Sequence, residues 1–188
     1  MILWKHFINS PVKEERDEEH LQLHSVNTAL LSATPTSILR HFVQSVIIQT
    51  QLSMAQGSLF SNNLCVDGPL KPSQLHRLKL VCKLFTAVQV AGTINDPSLC
   101  LQAVVLCFGL MSPLVQHGIT ARPLLDTLIY CHAVLSELPE HILISKDSPS
   151  TASLHHLIAS TAYHVGKVHV TNNKRSHLVH FCTGVRVD

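Results

Sequence analysis

Histidine is the first residue type to question for chemistry, because 14 of the 188 residues are histidines. His20 and His24 stand four apart, a helical spacing that brings two imidazoles to one metal ion. Gln22 and Leu23 fill the interior between them, so the His-Glu-x-x-His arrangement of a zinc protease, with its general base, is missing. His177, His180 and Cys182 supply three donors with no partner pair elsewhere. His155 and His156 are neighbours, which on a helix point in different directions. There is no Gly-x-Ser-x-Gly elbow, no glycine-rich phosphate loop and no Cys-x-x-Cys pair. No catalytic residue, cofactor or metal site is expected, and the chain does not read as an enzyme.

One polar feature could carry binding. Lys71, Arg77, Lys79 and Lys83, with His76, follow one another with no acid between Asp67 and Asp96. Such a single-sign stripe favours an acidic partner, either an acidic polypeptide tail or a nucleic acid backbone; the plainer alternative is the solvated face of an amphipathic helix. No aromatic side chains interleave with these bases, which argues against single-stranded nucleic acid. A formal net charge of +2 and a pI near 8.3 are too mild to argue for nucleic acid at all.

These residues sit on what reads as an all-α chain. Glu14 to Leu31 has helical spacing and opens with acids that suit the positive end of a helix dipole. Thr34-Pro35 gives an N-cap and a first-turn proline. Ile38, Leu39, Phe42, Val43, Val46 and Ile47 then form a stripe that should bury one face. Pro72, Pro97, Pro123 and Pro149 each precede an apolar-periodic stretch and lie 25, 26 and 26 residues apart. They imply long helices over Ser73 to Ala91, Ser98 to Gln116, Leu124 to Leu138 and Thr151 to Val165, with Gly92, Gly118 and Gly166 near their ends as left-handed caps. Cys82 and Cys107 each fall ten residues after their proline. Antiparallel helical hairpins follow, stacked as an α-solenoid or gathered in an irregular bundle. Pro113 predicts a kink or break near Ser112.

The domain reading is N-terminal helices over 1–55, a flexible Ser/Asn/Gly loop over 56–71, a helical-repeat region over 72–166 and an atypical or disordered tail over 167–188, where Val168-His169-Val170 alternates as in a short hairpin. Charged residues make up 14% against 46% hydrophobic, where about 25% charged is usual; a fragment, or a chain with an obligate partner, carries so little surface charge. A solenoid piece without polar capping repeats exposes an apolar end, so self-association is expected. The six cysteines lie mostly inside apolar helical stretches and read as reduced thiols. Lys5 and His6 cut the apolar Met1-Ile2-Leu3-Trp4 short of a secretory leader. The run from Leu99 to Val115 falls short of the roughly 20 apolar residues of a spanning helix, and reads as a buried central helix rather than a membrane span.

Leu106-Cys107-Phe108-Gly109-Leu110, Pro113-Leu114, and Arg122-Pro123-Leu124-Leu125 leading into Ala133-Val134-Leu135 together resemble the very large helical cilia- and flagella-associated scaffold proteins of the axonemal central apparatus. The resemblance spans roughly Lys71 to Ile144 and rests on apolar texture and proline placement. It implies a non-enzymatic structural role in cilium or flagellum assembly and motility, location in the cytoskeleton of the axoneme, and axonemal or microtubule-associated protein partners, with no catalytic residues to carry over. The alternative is a cytosolic or nuclear helical module that uses the basic face on an acidic partner.

Overall fold

A computed structural model of the chain describes residues 23, 26–59, 72–119, 121–138 and 155–170, and among them the architecture is all-α. The helices are α1 (Thr28–Ala33), α2 (Thr36–Gln56), α3 (Pro72–Thr93), α4 (Pro97–Gln116), α5 (Arg122–Ser136) and α6 (155–170).

Local chemistry starts and stops these helices. Proline stands in the first turn of α3, α4 and α5, where its missing N–H costs nothing and its fixed φ is already helical. Asp96 caps α4 by accepting the Leu99 amide at 3.2 Å, and Asn27 caps α1 through Leu30 at 3.2 Å. At the C-termini of α2, α3 and α4 the same clasp recurs. A residue at positive φ, Ser58 (50°), Asn95 (52°) or Gly118 (71°), reverses the chain. The next amide then reaches back five residues: Leu59 to Met54, Asp96 to Ala91, Ile119 to Leu114. This satisfies carbonyls that a helix end leaves orphaned.

Only Gly118 among the expected glycine caps fills that role. Gly92 lies within the last turn of α3, and Gly166 lies inside α6. Three further expectations shift for equally local reasons. Val26 and Asn27 are not helical, so no continuous helix runs from Glu14 to Leu31, and residues 14–22 lie outside the described set. Thr34 closes α1 instead of capping α2: its hydroxyl donates to Leu30 O at 2.7 Å, and Pro35 takes the cap position. Val168-His169-Val170 belongs to α6, with Val168 buried and its two successors exposed.

α2 packs on α3 and α4, α3 also packs on α4 and α5, and α4 packs on α5. Among α2 to α5, therefore, helices one and two places apart along the chain pack on each other. The central element is α3, not the more apolar α4. From Leu78 to Ala91 the α3 side chains are buried except Lys79, Lys83 and the half-buried Gln89. Burying one leucine- or valine-sized side chain contributes roughly 1.5–3 kcal/mol, so α3 is the helix on which the core depends most. Phe85 meets Tyr130 of α5 edge to face, with ring centroids 5.3 Å apart.

α4 is long and apolar enough to cross a membrane by length and composition, and 56% of that apolar window is buried inside the protein. Gln102, Val105, Gly109 and Gln116 face outward along it. The helix continues through Pro113 to Gln116; the proline has no N–H to give the Gly109 carbonyl one turn earlier, and Gly109 is exposed, which leaves that carbonyl to solvent.

Candidate functional site

Three cysteines, one from each of the central helices, converge in the core. Cys107 of α4 and Cys131 of α5 are fully buried, and Cys131 and Cys82 of α3 both lie near enough to Cys107 to act on its thiol. The residue ten places after each of two helix-starting prolines thus arrives in the same part of the interior. The Cys131 contact and burial push the Cys107 thiol well above its ordinary value, and burial raises Cys82 and Cys100 to about 11. Thiols held neutral in this way are poor nucleophiles and poor metal ligands, and all four described cysteines are free. This cluster is packing material.

The histidine candidates do not assemble either. His155 and His156 are both exposed on α6; His20, His24, His177, His180 and Cys182 lie outside the described residues. Among the described residues no three His, Cys, Asp or Glu side chains could hold a metal ion. Two other histidines dock α6. His132 Nδ1 lies 3.3 Å from Thr161 Oγ1, and the His164 ring lies 5.6 Å from Phe108. Burial, and then the nearby Lys167, lower the His164 pKa.

The basic face is divided by the helix. Lys79 and Lys83 are exposed one turn apart, with His76 on the same side; Lys71 lies outside the described residues. Arg77 does not join them. Two residues along an α-helix rotate a side chain by about 200°, which turns Arg77 inward to 2% exposure, where Nη2 donates to Leu59 O at 2.8 Å. Its guanidinium fastens α3 to the chain end of α2, and burial lowers its pKa.

A surface missed in the sequence lies on α2. Ile38, expected in the buried stripe, is 44% exposed, and Ile48 and Leu52 are 63% and 57% exposed. At about 100° per residue these three span about 80° of the helix, with Ile48 and Leu52 turned away from the buried stripe and Ile38 at its edge, about 40° from Phe42. The available signal was charge: no Asp, Glu, Lys or Arg occurs between Arg40 and Asp67. Solvated helix faces ordinarily carry such residues, and interface centres are depleted of them.

No family model matches the chain and no solved structure matches it. Two curated proteins are similar to it: cilia- and flagella-associated protein 54 of Homo sapiens and its namesake of Mus musculus, each 27% identical over 175 residues. The similarity takes in 88% of this chain, more than the 71–144 stretch that carried the resemblance in sequence. The chain spans about 6% of the length of either relative.

Proposed function

We propose that this chain is a non-enzymatic structural protein of the cilium or flagellum, a piece of helical-repeat scaffold that packs on axonemal or microtubule-associated proteins and serves cilium assembly and motility. The observation that carries the reading is the similarity to the two cilia- and flagella-associated proteins across 88% of the chain. Packing between next and next-but-one helices supports a stack that extends by repetition, and the uncharged outer side of α2 suits burial against other protein.

The test is to image the endogenously tagged chain in ciliated cells and then extract with detergent. Retention along the axoneme is the expected result. A diffuse signal lost on extraction would remove the ciliary role and leave an unassigned helical interaction domain.

A second reading rests on the exposure of His76, Lys79 and Lys83 on one side of α3. In it, the chain is a cytosolic or nuclear module that binds an acidic polypeptide there. Reversing the charges of Lys79 and Lys83 together should then abolish a salt-sensitive complex; an unchanged complex excludes the face.

A further inference from the structure

We propose that the basic side of α3 is covered by the chain's own acidic run, Glu14 to Glu19, held by charge across Lys79, Lys83 and His76. This is an occupant in cis for the face that the second reading offers to an acidic polypeptide, and it stands whether or not an outside partner exists.

Charge complementarity selects the occupant. The acids among the described residues are Asp96, Asp126 and Glu137, and Arg40 and Arg122 engage the first two. None of them lies on α3, so Lys79 and Lys83 have no carboxylate on their own helix. Glu14, Glu15, Asp17, Glu18 and Glu19 put five acids into six residues, with Arg16 among them and Lys13 just before. The other acids, Asp67, Glu140, Asp147 and Asp188, stand singly. A lone carboxylate gains little from an exposed lysine. A dense run can meet both lysines at once, since they are exposed one helical turn apart, with His76 beside them as a further donor.

The run also has the reach. α2 and α3 are antiparallel: Arg40 early in α2 holds Asp96, just past the end of α3, and Arg77 early in α3 holds Leu59, just past the end of α2. The chain therefore enters α2 beside the C-terminal end of α3, and the 6 residues of α1 before it add about 9 Å. Lys83 and Lys79 lie about 15 and 21 Å back along α3 from Thr93. Glu19 and Glu14 can extend up to about 23 and 40 Å from Val26, which suffices to lay the run over both lysines. Lys79 already interacts within the chain, which an internal occupant accommodates. Tethering gives the run an effective concentration in the millimolar range, so an outside anion has to displace it first.

The experiment is carbodiimide coupling of the full chain at low micromolar concentration, which joins a carboxylate to a lysine amine in direct contact with loss of water, read by peptide mass spectrometry. The expected product has the mass of a single chain and joins Lys79 or Lys83 to an acid of the run. It should diminish at about 1 M salt, where exposed charges are screened. In parallel, the acetylation rates of Lys79 and Lys83 are compared between the wild type and E14Q/E15Q/D17N/E18Q/E19Q, in which both should rise about threefold. Should that variant lose helicity by circular dichroism, coupling in the wild type decides alone. Coupling of the two lysines only to the single acids, only between chains, or not at all overturns the proposal, and so do unchanged acetylation rates in a helical variant. A wild type that lacks the internal product yet binds poly-glutamate through Lys79 and Lys83 upholds the second reading and overturns this one.

Discussion

Arg40 on α2 and Asp96 at the head of α4 are joined, Nε to Oδ2, at 3.1 Å, and the same carboxylate accepts the Leu99 amide. One side chain therefore starts a helix and anchors a second one to it. D96A should lose about 1 kcal/mol for the cap and up to about 1 kcal/mol more for the partly exposed ion pair. D96N keeps a capping oxygen and should lose only the smaller part. Urea unfolding of the two variants separates the contributions; equal losses would mean that the cap contributes nothing.

Arg77 is expected to govern stability and not binding. R77M leaves Leu59 O without its donor in a buried place, at a cost of about 1–3 kcal/mol, and thermal unfolding should shift down accordingly. K79E and K83E, on the solvent side of the same helix, should stay within about 0.5 kcal/mol of wild type. A wild-type melting curve for R77M would mean that the Leu59 contact does not hold the two helices.

Gly109 occupies the interior of α4, and a Cβ built there meets nothing within 4 Å. G109A should therefore stabilise the isolated chain by about 1 kcal/mol, the helix-propensity difference between the two residues. A destabilised G109A would reveal that something in the chain packs against that spot.

The raised thiols make stability fall in alkali. Cys82 and Cys100 are neutral in both states below their ordinary value near 9, and only the unfolded chain ionises as the pH climbs from there toward about 11. The unfolded state then binds fewer protons, so unfolding becomes easier with rising pH across that window. Alkylation at pH 7.5 should label the two slowly in the folded chain and rapidly in denaturant. Rapid labelling of Cys82 in the native state would contradict its burial.

The helices that open with proline were readable because their signals are local: a cap residue, a fixed φ and an apolar period, all within one turn of the boundary. The convergence of Cys82, Cys107 and Cys131 was only half visible, since equal offsets from equivalent prolines place residues at equal heights without saying which sides meet. Ser58 and Asn95 escaped notice as helix stops because the clasp, not a glycine, imposes the left-handed turn on them. Arg77 and Ile38 were misplaced for a shared reason: a chain position shows which residues lie side by side, whereas the number of neighbours around α3 and α2 decides which sides are covered. That number is a property of the tertiary packing.

Packing in which α2 to α5 meet helices one and two places along the chain keeps contacts close in sequence, the regime of low contact order in which folding is fast. During synthesis α2 finds its first partner as soon as α3 leaves the ribosome, and α4 completes the layer without waiting for the remainder. A polypeptide built by extending such a pattern would bury its apolar sides at the pace of translation, however long it grew.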